Sequence, residues 1–361
     1  MSLRDIRRHI GQLAIVGFDG LAVPSDLRAL AREFDLGGII LFARNVESAG
    51  QVEELARDAQ TLARELPSWV SVDQEGGRVA RFKRPFTEWP PMLTLGRSGD
   101  EALAARFARA LAAELAAVGV NLDYAPVMDV HTNPANRVIG DRAISERPAD
   151  VARLGRVVIR TLQAAGVAAC AKHFPGHGDT TTDSHHDLPV VEHPPDRLRA
   201  VELEPFRAAI DEGVASVMTA HVLVPAVDEH RPATLSTTLI DGWLRRELGY
   251  QGLVVTDDLQ MRAISRRWGL AEASVAAVAA GCDVVLLCGT DTEAQAGALE
   301  ALIRAVESEA LPASRVQSAL DRQRDTKARF LSGNRPGRGA WREVVGCEAH
   351  QRVAGEMEQY R

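Results

Sequence analysis

Short apolar runs bounded by glycine or aspartate alternate with longer amphipathic stretches along this chain. Between residues 101 and 118, large apolar side chains recur every four positions, which is the spacing of one buried helix face. The apolar runs predict eight strands, at residues 13–18, 38–43, 69–72, 121–124, 168–171, 216–220, 253–256 and 283–287. Strand and helix alternating eight times favour a closed (β/α)8 barrel over an open doubly wound sheet.

The lengths of the connections support the same α/β architecture. Links from helix to strand are short, and a glycine marks the end of the helix at Gly119, Gly166, Gly213 and Gly281. Links from strand to helix are long, at residues 73–99, 125–147, 173–195 and 221–237. In a TIM-type barrel these long loops all emerge at the C-terminal face, where such enzymes hold their active sites. We therefore expect a single barrel over residues 1–331 and a partly helical C-terminal tail, packed on or trailing the barrel, over residues 332–361.

Composition narrows the class of protein. The chain has 361 residues, 46% of them hydrophobic, and a formal charge of −7, which is typical of a globular protein and disfavours nucleic acid as a partner. Four scattered cysteines without a C-x-x-C pair indicate reduced thiols, and we find no apolar run of membrane-spanning length. We expect a cytoplasmic monomer or weak homo-oligomer with no membrane partner. Lysine is scarce, because only Lys83, Lys172 and Lys327 are present.

Histidines concentrate in the loop that follows the fifth predicted strand. Five of the ten histidines fall there, namely His173, His177, His185, His186 and His193. One interpretation is a metal site, although no matching ligand cluster follows another strand. The other is acid/base chemistry, in which Asp183 accepts a hydrogen bond from one nitrogen of His185 and leaves the other nitrogen for a substrate. A solvated loop with no chemical role is the plainest alternative.

Charged residues also follow three other predicted strands. Asp257 comes directly after the seventh strand and is either catalytic or, like Asp258, a cap for the next helix. Residues 71–81 combine acids, two arginines and a glycine pair, without the glycine pattern of a dinucleotide site. Residues 136–142 end in Asp141 and Arg142, which form either part of a site or a surface ion pair.

Taken in order, these segments resemble the bacterial β-N-acetylhexosaminidases of glycoside hydrolase family 3, of the single-domain NagZ type that acts in peptidoglycan recycling. The resemblance spans about residues 11–287. The matching motifs are 38–45 (GIILFARN), 72–78 (VDQEGGR), 138–142 (VIGDR), 172–178 (KHFPGHG), 183–185 (DSH), 218–221 (MTAH) and 256–258 (TDD).

The resemblance implies a retaining reaction without cofactor or metal. Asp257 matches the nucleophile, and His185, oriented by Asp183, matches the acid/base. Five further residues match sugar-binding positions, namely Asp73, Arg81, Arg142, Lys172 and His173. The implied substrate is a small molecule that carries terminal non-reducing β-linked N-acetylglucosamine, such as a GlcNAc-1,6-anhydroMurNAc muropeptide of cell-wall recycling.

Several alternatives remain at this point. A β-N-acetylglucosaminide phosphorylase would use the same site, and sequence does not separate it from a hydrolase. The two-domain β-glucosidases of the family take their acid/base from a domain that this chain lacks. A metal-dependent barrel hydrolase would instead use the histidine-rich loop. A catalytically inactive sugar-binding barrel would be expected to have lost Asp257, Asp183 or His185, and all three are present.

Overall fold

The computed structural model describes residues 3–180, 188–333 and 336–361. Within these ranges eight parallel strands close into a barrel, because each strand pairs with the next and the last pairs with the first. The strands are β1 (Ala14–Val16), β2 (Gly38–Leu41), β3 (Trp69–Val72), β4 (Leu122–Asp123), β5 (Ala168–Phe174), β6 (Ser216–Thr219), β7 (Leu253–Asp258) and β8 (Val284–Leu287). The predicted barrel is confirmed, and β5 continues three residues beyond its predicted end.

Helices surround the barrel. The described α-helices are Leu3–His9, Ser25–Phe34, Ala49–Gln60, Met92–Ser98, Glu101–Ala117, Pro148–Ala164, Pro195–Ala200, Leu203–Asp211, Arg262–Ser265, Leu270–Ala280, Thr292–Glu307, Ala313–Leu331, Trp341–Val344 and Glu348–Glu358. A π-helix spans Thr238–Glu247, and short 3₁₀ turns lie at Ile10–Leu13, Ala43–Asn45, Gly140–Arg142 and Ala233–Leu235. Asp291 is the N-cap of the helix Thr292–Glu307, which follows β8, because its carboxylate accepts hydrogen bonds from the amides of Glu293 and Ala294.

Two layers of apolar side chains build the core. One layer lies between the strands and the surrounding helices, and the other, contributed mainly by the strands, fills the barrel interior. Cys170 and Cys288 belong to the inner layer, and all four cysteines are free thiols. In the described part of the chain, no helix has the length and apolar character needed to cross a bilayer.

The helix Ala313–Leu331 closes the N-terminal end of the barrel through buried polar contacts. Nζ of Lys327 donates to the side-chain oxygen of Gln12 and to the carbonyl of Gly37, both at 2.8 Å. Gln323 donates to the Gln12 carbonyl at 2.7 Å and accepts from the Trp69 indole at 2.9 Å. These bonds satisfy the buried polar groups, so the helix is fixed across the barrel end.

The segment after this helix packs beside the barrel. Arg106 donates to both carboxylate oxygens of Glu356 at 2.7 Å. The buried carboxylate of Glu114 accepts from the Gly346 amide at 2.9 Å and lies 2.9 Å from Nδ1 of His350. Arg106 and Glu114 both lie on the helix Glu101–Ala117. Residues 346–356 are therefore bonded to the helical layer of the barrel. The division of the chain at residue 331 stays a prediction.

Lys327 gives the fold a specific pH dependence. Burial lowers its pKa from 10.5 to about 7, and the charge of Asp35 opposes this only in part. Between those values the unfolded chain binds a proton that the folded chain does not, so this group makes the fold more stable as the pH rises through that window. We expect the free energy of unfolding to rise more steeply with pH in the wild type than in Lys327→Met. The two slopes should differ by about 1.4 kcal/mol per pH unit within that window.

Urea denaturation between pH 7 and pH 9 measures this difference. Lys83→Met is the matched control, because Lys83 is exposed and its removal should leave the wild-type slope unchanged. Parallel slopes for the wild type and Lys327→Met would contradict the assignment.

Candidate active site

Charged side chains meet at the C-terminal end of the barrel. Asp73 directly follows β3, Lys172 lies near the end of β5, and Asp257 lies near the end of β7. The Lys172 ammonium is 2.8 Å from Oδ1 of Asp73 and 2.6 Å from Oε1 of Glu75. Its side chain is only 2% exposed, so a full positive charge is buried between two carboxylates.

Two arginines extend this arrangement on either side. Nη2 of Arg81 donates to Oδ2 of Asp73 at 3.2 Å. Arg142 donates to both oxygens of Glu75, from Nε at 2.9 Å and from Nη2 at 2.8 Å, which is the bidentate geometry that arginine favours with carboxylates. The result is a continuous row of alternating charges, Arg81–Asp73–Lys172–Glu75–Arg142, which we call the charge ladder. It contains three cations and two anions.

Arg142 does not form the surface ion pair with Asp141 that the sequence allowed. Its guanidinium turns inward to Glu75, whereas the Asp141 carboxylate lies 3.4 Å from Nε of Arg78. The physical reason is burial, because Glu75 is 1% exposed and would be an uncompensated charge without Arg142 and Lys172.

Mutual compensation keeps the ladder ionised. Burial alone would lower the pKa of Lys172, but the carboxylates of Asp73 and Glu75 outweigh it and raise the pKa above its usual value. Burial would likewise raise the pKa of Glu75, and the charges of Arg142 and Lys172 hold it well below its usual range. The ladder therefore presents fixed charges at neutral pH.

A small hairpin after β3 positions Arg81. Its strands are Gln74–Gly76 and Val79–Ala80, and the turn needs glycine because Gly76 and Gly77 have φ values of +109° and +55°. The side-chain oxygen of Gln74 accepts hydrogen bonds from the amides of Arg81 at 2.8 Å and Phe82 at 3.0 Å. The hairpin thus holds the backbone of Arg81 at the barrel mouth.

The guanidinium of Arg81 is held by a ring and a carboxylate. It lies 5.4 Å from the centre of the Phe42 ring, at the end of β2, and donates to Asp73. Its Nε is buried and has no hydrogen-bond partner within the described residues. A buried donor without a partner is costly, and a bound hydroxyl or carbonyl would satisfy it.

A second polar group lies beside the ladder. Nδ1 of His173 is 2.7 Å from Oδ2 of Asp129, and the other oxygen of Asp129 accepts from the amides of His173 at 3.2 Å and His177 at 2.7 Å. Burial lowers the pKa of His177 to about 4, so this imidazole is neutral, and its Nδ1 is 2.7 Å from the Thr180 hydroxyl. Asp129 thereby orients His173 and fixes the start of the loop.

The seventh strand ends in two aspartates with different environments. Oδ1 of Asp257 accepts a hydrogen bond from the amide of Asp258 at 2.8 Å. Oδ1 of Asp258 accepts from the amides of Gln260 at 3.1 Å and Cys288 at 3.2 Å. Burial raises the pKa of Asp258 to about 6. The Asp258 carboxylate therefore bonds two main-chain amides, and the Asp257 carboxylate bonds one. Neither aspartate caps the helix Arg262–Ser265, which follows Met261 without a side-chain cap.

The two remaining predicted catalytic residues, Asp183 and His185, lie outside the described residues. The chain on either side of them is anchored. The Asp179 carboxylate accepts from the Thr132 hydroxyl at 3.0 Å and pairs with the His193 imidazole. Across the described ranges, no group of three or more histidines, cysteines or acids is arranged to hold a metal ion.

Four of the predicted sugar-binding residues, Asp73, Arg81, Arg142 and Lys172, thus belong to one charge ladder, and the fifth, His173, belongs to the neighbouring Asp129 group. Sequence reasoning did not single out Glu75 or Asp129. The signal for Asp129 was present, because it is an acid in the otherwise apolar run that follows β4. The roles of all these residues stay predictions.

Comparison with known proteins identifies curated relatives. The chain is 39% identical over 286 residues to "Beta-hexosaminidase A" of Pseudoalteromonas piscicida, covering 73% of this chain and 48% of that protein. It therefore spans about half the length of that relative. It is 41% identical over 259 residues to a "Beta-hexosaminidase" of Nitrosomonas eutropha, covering 70% of this chain and 74% of that protein.

Solved structures agree. A glycoside hydrolase family 3 β-N-acetylglucosaminidase from Paenibacillus sp. str. FPU-7 superposes with a TM-score of 0.93 at 42% identity, covering 98% of this chain and 68% of that one. NagZ from Neisseria gonorrhoeae, solved in complex with N-trifluoroacetyl-D-glucosamine, gives 0.78 at 31% identity, with coverage of 96% and 97%. The model of the glycosyl hydrolase family 3 N terminal domain matches residues 5–324. This chain therefore belongs to glycoside hydrolase family 3.

Proposed function

We propose that the protein is a retaining exo-β-N-acetylglucosaminidase. The observation that carries the proposal is that Asp257 and the charge ladder lie at the same end of the barrel. Asp73 directly follows β3 and Asp257 lies near the end of β7. Because all barrel strands are parallel, both carboxylates lie on the C-terminal face, where barrel enzymes hold their chemistry.

The reaction has two displacements. In the first, a carboxylate oxygen of Asp257 forms a bond to the anomeric carbon while the glycosidic C–O bond breaks, and the leaving oxygen takes a proton from His185. In the second, water attacks the same carbon, the bond to Asp257 breaks, and His185 accepts the proton of that water. Asp183 orients His185. Most retaining glycosidases use two carboxylates for these roles.

The charge ladder suits recognition of a sugar ring. Its charged groups are held in place before the substrate arrives, so hydrogen bonds to sugar hydroxyls need little reorganisation. Charged donors and acceptors also discriminate strongly against sugars that lack the matching hydroxyl. We assign sugar binding to Asp73, Arg81, Arg142, Lys172 and His173, with Glu75 holding the two cations.

The substrate class is supported by the relatives. Curated relatives are named as β-hexosaminidases, and one solved neighbour holds N-trifluoroacetyl-D-glucosamine. The resemblance to the NagZ type favours terminal non-reducing GlcNAc on 1,6-anhydroMurNAc muropeptides, cleaved in the cytoplasm by a monomer or weak homo-oligomer. No cofactor takes part in this scheme.

An aryl β-N-acetylglucosaminide is the direct test. We expect release of the phenol together with free N-acetylglucosamine, at the same rate with and without EDTA. Aryl β-glucoside is the matched control substrate and should be cleaved far more slowly. No cleavage of the N-acetylglucosaminide would refute the proposed activity. Loss of activity in EDTA would favour a metal-dependent hydrolase, and appearance of the sugar 1-phosphate in phosphate buffer would favour a phosphorylase.

A leaving-group series tests His185. A general acid contributes about 10²- to 10⁴-fold, and it matters most when the leaving oxygen is basic. We therefore expect His185→Ala to slow alkyl or disaccharide substrates by that factor, and activated nitrophenyl substrates much less, in steady-state kcat/KM. Asp257→Ala is the comparison, since loss of the nucleophile should abolish turnover of both. Equal losses for both substrate types in His185→Ala would contradict the proton-donor role.

Lys172 should not tolerate arginine. Its ammonium fits a nearly closed space 2.8 Å from Asp73 and 2.6 Å from Glu75, and a planar guanidinium is larger and directs its donors differently. We expect Lys172→Arg to raise KM for the aryl substrate about ten- to hundredfold, the loss expected for a charged hydrogen-bonding group. Lys83→Arg, an exchange of the same type on the exposed surface nearby, should leave KM unchanged. An unchanged KM in Lys172→Arg would show that a compact ammonium is not required.

A further inference from the structure

We infer that Asp258 is a positioning residue that fixes the rotamer of Asp257, so that Oδ2 of Asp257 is the attacking oxygen. His221 supports this role through a hydrogen bond to the main-chain carbonyl of Asp258. The inference rests on the proposed role of Asp257 as nucleophile and goes beyond it. It concerns which oxygen reacts and which residues select it.

The selecting contact is a main-chain hydrogen bond. The amide of Asp258 donates to Oδ1 of Asp257 at 2.8 Å, and this is the one hydrogen bond that the Asp257 carboxylate makes to the described residues. A hydrogen-bonded carboxylate oxygen holds its electron pairs more tightly than its neighbour. Oδ2 is therefore the oxygen that forms the bond to the anomeric carbon as the bond to the leaving group breaks.

The strand itself is shaped at this point. Between β7 and β8, Val255 pairs with Val284 and Asp258 pairs with Leu286, so three steps along β7 match two steps along β8. One extra residue is thus accommodated in β7 between Val255 and Asp258. A bulge of this kind redirects a side chain and is common beside active sites. Because the bulge includes Asp257, it supports the inference that the backbone sets the orientation of that carboxylate.

The side chain of Asp258 then locks the bulge in place. Its Oδ1 accepts from the Gln260 amide at 3.1 Å, within the same turn, and from the Cys288 amide at 3.2 Å, just after β8. One carboxylate oxygen therefore joins the ends of two neighbouring strands. Without it, both amides would lose their acceptor and the turn that carries the Asp258 amide could shift relative to β8.

His221 holds the carbonyl of the same residue. The carbonyl oxygen of Asp258 accepts from the Met261 amide at 3.0 Å and from Nε2 of His221 at 2.9 Å. A carbonyl can only accept, so Nε2 carries the proton, and Nδ1 lies 2.8 Å from the Thr234 hydroxyl. His221 is fully buried just after β6. Asp258, the residue beside the nucleophile, is thereby held by hydrogen bonds from His221 just after β6, from Cys288 just after β8 and from its own turn.

The test separates orientation from sugar binding. A 5-fluoro N-acetylglucosaminyl fluoride, which forms a glycosyl-enzyme faster than water removes it, is followed by intact-protein mass, and peptide mapping locates the adduct. We expect the wild type to be labelled at Asp257. In Asp258→Ala and in His221→Leu the labelling rate should fall about ten- to hundredfold, the cost of misplacing a reacting group by about 1 Å, while KM for an aryl substrate changes little.

Two further variants make the comparison specific. Asp258→Asn keeps an oxygen that can accept both amides, so it should recover most of the rate that Asp258→Ala loses. Asp291→Ala removes an aspartate that caps a helix on the same side of the barrel, so it controls for a simple loss of stability and should label at the wild-type rate.

The outcomes distinguish the two proposals. Wild-type labelling rates in folded His221→Leu or folded Asp258→Ala would overturn the positioning role while leaving Asp257 as nucleophile. A loss seen in KM alone would also overturn it. An adduct on another residue of the wild type would overturn the proposed mechanism and this inference together.

Discussion

The burial of the Lys172 ammonium between two carboxylates is the constraint on which the C-terminal end of the barrel, with its candidate active site, depends. A buried charge without a partner would cost several kcal/mol, and each carboxylate would suffer the same penalty if left alone. The arginines at either end spread the compensation over β5 and the two loops that follow β3 and β4. Asp73, Glu75 and Lys172 each have two oppositely charged partners in the ladder, so the loss of any one member weakens the compensation of its neighbours.

The parallel barrel makes such a group possible. Every strand delivers its last residue to one face, so side chains distant in sequence, such as Asp73 and Lys172, meet without a dedicated connection. The opposite face serves stability instead, where the helix Ala313–Leu331 covers the strand starts through uncharged acceptors. The two ends therefore have opposite effects on the lysine that each one buries. The pKa of Lys172 is raised at the C-terminal end, and the pKa of Lys327 is lowered at the N-terminal end.

The sequence allowed the barrel, all eight strands and the family to be predicted, because strand and loop positions are encoded in local patterns that need no knowledge of contacts. The partners of the charged residues were harder to predict. Glu75 and Asp129 act through neighbours more than 40 positions away, and only the folded chain shows that Arg142 turns to Glu75 instead of Asp141. The predicted end of β5 was too early because Lys172 and His173 are polar residues, which the hydrophobic pattern does not assign to a buried strand. In the structure both belong to β5 and are buried at the barrel mouth.

The scarcity of lysine has a practical consequence. Two of the three lysines are closed off inside opposite ends of the barrel, whereas Lys83 is exposed, two residues from Arg81. An amine-reactive dye would therefore find a single exposed lysine side chain, located on the loop that positions Arg81 at the proposed sugar site. The wild-type protein thus offers a ready attachment point for a fluorescent reporter of ligand arrival, with no engineered cysteine and no substitution near the chemistry.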